Sequence, residues 1–125
     1  MKKILYIFVL LTIFVCPSYA LKVGLLTEVD QAGIGTDVAG RMISVHTNKT
    51  VSTTNALKGY ILVPYKNEIA IKKNNEIYTL GTDSLVLRPD SDGFVSAKGR
   101  WYRGKLMIKN IGGKLTVIND IDLEE

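Results

Sequence analysis

The chain has 125 residues with 16 Lys and Arg against 12 Asp and Glu, a net charge of +4, and a single cysteine, Cys16. By length this is one small domain, and no linker, low-complexity segment or internal repeat divides it. The positive charge does not mark a nucleic-acid binder, because the basic residues alternate with acids and form no cluster of the sort that tracks a phosphate backbone.

Met1-Lys2-Lys3 begins the chain with positive charge, Ile4 to Val15 is an apolar run interrupted by Thr12, and Pro17-Ser18-Tyr19-Ala20 places small residues before a cut after Ala20. This pattern predicts a secretory signal peptide over residues 1–20. A retained anchor fits less well, since spanning the hydrocarbon core takes about 20 apolar residues. Cys16 follows Val15, where a lipoprotein site needs a small residue. The exported product would begin at Leu21 and carry a net charge of +2, because Lys2 and Lys3 leave with the signal. It would have no cysteine, which excludes disulfides and thiolate metal sites.

Leu21 to Leu26 reads as a first strand, and Gln31 to Gly40 as a loop. Within that loop the run from Gly35 to Met42 has the glycine spacing of a phosphate-binding loop, but Arg41 and Met42 replace the Lys and Ser/Thr it needs. Gly33 and Gly35 begin a dinucleotide fingerprint that Val38 breaks. Short alternating or apolar runs then follow: Met42 to His46, Thr50 to Thr53, Tyr60 to Tyr65, Glu68 to Lys72, Ile77 to Leu80, Ser84 to Leu87 and Gly93 to Ala97. Asn74-Asn75, Gly81-Thr82-Asp83 and Pro89 to Gly93 separate them as turns. No segment sustains a 3.6-residue period. The fold class is therefore mainly β, a small sandwich or barrel-like domain of short antiparallel strands.

Candidate site chemistry is sparse. His46 has no Cys or second His to complete a metal site and reads as a strand or edge residue. Asp90 and Asp92 before Gly93 resemble part of a calcium loop, without its other ligand positions, so a turn is the simpler reading. No cofactor or metal is expected. Trp101, Tyr102 and Arg103 could form a sugar-stacking edge, since aromatic faces and planar guanidinium groups suit carbohydrate surfaces. Packing of the following hairpin is the alternative use of the same residues.

That hairpin is the strongest local signal. Leu106 and Ile108 alternate with Lys105, Met107 and Lys109, and Leu115 and Val117 alternate with Thr116 and Ile118. Gly112-Gly113 between them supplies the positive φ of a two-residue turn and pairs Ile108 with Val117 and Met107 with Ile118. Asp122 and Glu125 then have the spacing of a capping box, with Leu123 as a first helical residue, so a helix is expected to start at the C-terminal end.

Tyr102-Arg103-Gly104, the hairpin, Leu115 to Asn119 and Leu123-Glu124-Glu125 together resemble the N-terminal domain of the stage II sporulation protein D and LytB amidase-enhancer (SpoIID/LytB) family of bacterial cell-wall proteins. The resemblance is closest over Arg100 to Glu125, and Leu21 to Lys98 agrees in outline. It implies that residues 21–125 are such a domain, incomplete at its C-terminus. In that family the acidic element leads into a helix whose Glu is the catalytic acid of a peptidoglycan lytic transglycosylase. Neither Glu124 nor Glu125 matches that position, so no catalytic residue is carried over, and the fragment alone is expected to be inactive and to fold poorly. Two functions stay open: part of a peptidoglycan-remodelling protein, and a non-enzymatic peptidoglycan-binding or amidase-enhancer module. The implied partners are peptidoglycan glycan strands and a cell-wall amidase. The implied location is extracytoplasmic, in the cell wall or periplasm.

Overall fold

In the computed structural model, residues 20–122 are described. The signal segment expected before Ala20 and the helix expected from Leu123 lie outside the described residues. The chain forms β1 (Ala20–Val29), β2 (Ala32–Thr36), β3 (Gly40–Ser44), β4 (Thr50–Thr54), β5 (Lys58–Tyr65) and β6 (Glu68–Lys73). It continues through β7 (Glu76–Thr79), β8 (Ser84–Pro89), β9 (Val95–Ala97), β10 (Arg100–Tyr102), β11 (Lys105–Ile111) and β12 (Lys114–Asp122). These make two six-stranded antiparallel sheets, and neither closes into a barrel. Sheet A has the order β1-β12-β11-β8-β3-β4 and sheet B the order β10-β9-β2-β5-β6-β7. The fold is a small β sandwich.

Alternation builds the core. From sheet A, Met42, Leu85, Leu87, Leu106, Ile108, Leu115 and Val117 are fully buried. From sheet B, Ala32, Ile34, Leu62, Ile69, Val95 and Ala97 meet them. Burial of each larger aliphatic side chain stabilises the fold by about 1.5–3 kcal/mol before conformational entropy is counted. The β11–β12 hairpin has the predicted register, Ile108↔Val117 and Met107↔Ile118, with Gly112 and Gly113 at φ 62 and 87. It lies inside sheet A, with β8 on one side and β1 on the other.

One expected loop is a strand. Gln31 to Gly40 contains β2, which pairs with β5 and β9 in the middle of sheet B. Its inward residues Ala32, Ile34 and Thr36 alternate with Gly33 and Gly35, so the outward half of the pattern has no side chains to reveal it. The phosphate-loop spacing noted from Gly35 onward thus belongs to β2, its connection and β3. Gly35 is needed for close approach: a Cβ there would lie 2.8 Å from the Lys58 carbonyl oxygen. The first strand also runs farther than its apolar pattern, to Val29, with register shifts on either side of Leu26.

Candidate functional site

Among the described residues β10 pairs only with β9, through Trp101↔Ser96 and Tyr102↔Val95. Val95 is fully buried, so the two-residue period turns Tyr102 inward, half-buried against the core, and Trp101 outward, where it is 51% exposed. Arg103 follows the strand and is exposed. The three candidate sugar-contact residues are adjacent in sequence but divided between the two sides of sheet B.

Beside Trp101 the outer face of sheet B carries small residues, with Gly35 itself buried close to the Ser96 side chain and the Lys58 carbonyl. One row of the register runs from Trp101 through Ser96 and Gly35 to Gly59. The next runs from Gly33 through Ile61 and Lys72 to Ile77. Gly33 and Gly59 have open space where a Cβ would stand. At roughly 4.8 Å per strand, the first row spans about 14 Å. The face is a flat shelf with an indole at one end and Ile61, Lys72 and Ile77 along one side. Phe94 adds an exposed ring on the outer side, since its neighbour Val95 points into the core. Its amide donates to Asp37 Oδ1 at 2.6 Å.

The strand carrying Trp101 is held from the other sheet. Asn119, fully buried on β12, donates from Nδ2 to the Arg103 carbonyl at 2.8 Å and to the Lys105 carbonyl at 3.2 Å. Between those carbonyls sits Gly104, at φ 87, packed so closely on β12 that a Cβ would run into the Asp120 carbonyl oxygen. Glycine is required there both for its φ and for the contact. Asn110 makes a similar clasp across the sandwich, donating to the Glu68 carbonyl at 2.7 Å. Sequence reasoning passed over both asparagines; an Asn breaking the apolar period of a hairpin strand was the available signal.

No family model matches the chain, and no curated protein or solved structure does either. Any chemistry has to be read from the residues themselves.

Of the remaining candidates, His46 and Asp90 are held by local contacts, and Asp92 is exposed in the turn before β9. His46 lies in the turn after β3, where its Nε2–H donates to Asp83 Oδ1 at 2.6 Å. That bond holds the Asp83 carboxyl below its ordinary value. Asp90 accepts from Arg41 Nε at 2.9 Å. Asp30 pairs with Lys114, and buried Asp120 lies 3.9 Å from Lys105 Nζ. Among the described residues no group of three His, Cys, Asp or Glu could hold a metal ion. The two rows of the shelf contain no carboxylate.

Proposed function

We propose that this sandwich is an extracytoplasmic, non-enzymatic module of a SpoIID/LytB-like cell-wall protein, contacting peptidoglycan glycan strands through the Trp101 shelf. The observation that carries the reading is Trp101 itself: a half-exposed indole at the edge of a sheet whose adjoining row is Ser96, Gly35 and Gly59. An exposed ring beside a row of small residues offers apolar area to the flat faces of pyranose rings. Cutting a glycosidic bond requires a carboxylic acid beside the scissile oxygen, and the shelf residues supply none. The shelf is therefore suited to holding glycan. Cutting the glycan would fall to the family's catalytic Glu, which no residue of this sequence matches, whereas a partner amidase would cut the amide bonds of the peptide stems. The residues behind the family resemblance also act as one unit, since Gly104 rests on β12 and Asn119 clasps the carbonyls on both sides of it.

The test is cosedimentation with purified, insoluble peptidoglycan. Trp101→Ala should weaken binding about tenfold, the equivalent of roughly 1.4 kcal/mol, while Trp101→Phe retains most of it. The protein should release no anhydromuramyl ends. Equal binding by the Trp101→Ala protein would remove the shelf from the account, and released anhydromuramyl ends would replace a binding role with a catalytic one. An amidase added to the same preparation tests the enhancer role directly.

A further inference from the structure

At the edge of sheet B farthest from Trp101, the two layers of the sandwich part. β7 is exposed at every residue from Glu76 to Thr79. Between β4, the edge strand of sheet A, and the β5–β7 end of sheet B lies an open groove of about 620 Å³, with Ser52 on the β4 side. The register Leu62↔Ile71↔Tyr78 puts Ile71 and Tyr78 on the same side of sheet B as the buried Leu62. With Tyr60 they give the groove an apolar floor. Both rings are tethered at their hydroxyls: the Asn55 amide donates to Tyr60 Oη at 2.8 Å, and Tyr78 donates to the Glu76 carboxylate.

The charge around this floor is unbalanced. Lys58, Lys72 and Lys73 line the groove against the single acid Glu76. Among the described residues none of the three lysines forms an ion pair. Lys58 Nζ instead sits 5.7 Å from the centre of the Tyr60 ring. Among the described residues two strand edges are also unpaired here, since β4 hydrogen-bonds only to β3 and β7 only to β6. The β4 edge, Thr50-Val51-Ser52-Thr53-Thr54, has no charge of its own and no proline to block pairing.

We propose that the groove binds an extended acidic peptide, laid along the free edge of β4, with alternate apolar side chains on Tyr60, Ile71 and Tyr78 and its carboxylates toward Lys58, Lys72 and Lys73. A strand presents successive side chains to opposite faces, so an alternating acidic and apolar sequence matches an apolar floor with a cationic rim. Main-chain hydrogen bonds to β4 supply affinity, and the lysines select charge and speed encounter. Gly59, Ile61 and Lys72 border both the groove and the shelf, but Trp101 itself lies at the opposite edge of sheet B, so a Trp101 substitution separates this proposal from the glycan reading.

The experiment uses protein purified after expression of the full chain and a fluorescein-labelled hexapeptide alternating glutamate and valine. Anisotropy measures affinity, and amide shift perturbation maps the site. Perturbed amides should fall in residues 50–54 and 58–78. The Lys58→Glu/Lys73→Glu protein, with folding checked by circular dichroism, should bind at least about tenfold more weakly. A peptide N-methylated at alternate amides should lose binding even to the native protein, and Trp101→Ala, which removes the glycan contact, should leave the affinity for the peptide unchanged. The proposal is overturned if a lysine–valine peptide binds as well as the acidic one, or if N-methylation has no effect. It is equally overturned if polygalacturonate displaces the peptide at concentrations below the peptide's own Kd, which would make the groove a site for acidic glycan. Concentration-dependent self-association that excludes the peptide would assign the β4 edge to a second copy instead.

Discussion

The β11–β12 and β6–β7 hairpins use the same kind of turn and reach opposite energetic outcomes. Gly112-Gly113 has φ 62 and 87, Asn74-Asn75 has φ 50 and 65, and each pair forms a two-residue loop between strands in tight register. Positive φ at both central residues matches the twist of the flanking strands, which is why both sequences make hairpins. The first lies inside sheet A and buries Leu106, Ile108, Leu115 and Val117 completely. The second ends sheet B, and all of β7 is exposed. Turn chemistry fixes which residues pair; the neighbours on either side determine what that pairing contributes to stability.

The largest effect should come from the buried hairpin. Ile108→Ala is expected to cost about 2–5 kcal/mol by urea denaturation, from lost transfer energy and the cavity left behind. Asn119→Ala comes next, at about 1–3 kcal/mol, because the Arg103 and Lys105 carbonyls lose their buried donor. In the same titration Ile77→Ala should stay within about 0.5 kcal/mol. Hydrogen exchange should show β7 amides opening more readily than those of β11. An Ile77→Ala cost comparable to that of Ile108→Ala would show that β7 is packed against something and would end the contrast.

The smallest effect is electrostatic. The His46 hydrogen bond lowers the Asp83 carboxyl below its ordinary 3.8, so folding favours the carboxylate. Its contribution is complete above the ordinary value and is lost as pH falls through the lowered one. Both side chains are largely exposed, so screening keeps the effect small. Melting curves of native and Asp83→Asn protein between about pH 5 and pH 2 should converge as the acid side is approached. Parallel curves would mean that the hydrogen bond contributes nothing to stability.

How much of this was legible in the sequence depended on whether side chains marked both faces of a strand. The β11–β12 hairpin could be read to the residue, because Leu106, Ile108, Leu115 and Val117 alternate with other side chains and Gly112-Gly113 admits few alternatives. β2 could not, since Gly33 and Gly35 leave its outward face blank and imitate a loop. The same blankness hid the shelf: glycines acquire a functional reading only when the register sets them beside Trp101. Parity hid the rest of the site. Trp101 and Tyr102 look equivalent as neighbours in sequence, and only pairing with Ser96 and buried Val95 shows which ring faces outward. The His46–Asp83 bond joins residues far apart in the chain, beyond the reach of any local motif.

The pairing of β1 with β12 has a consequence in time. Ala20 faces Asp122 and Leu21 faces Ile121, so sheet A gains its outer strand only by joining opposite ends of the described chain. Contacts this distant in sequence form late, because the entropy of closing the intervening loop is lost before the contact returns anything. As the polypeptide is synthesised, β1 waits without a partner until the residues of β12 have been added. The β11–β12 hairpin that would receive it is the last of the described hairpins to be made. Sheet A therefore closes only once β12, its most C-terminal strand, is free to pair with β1.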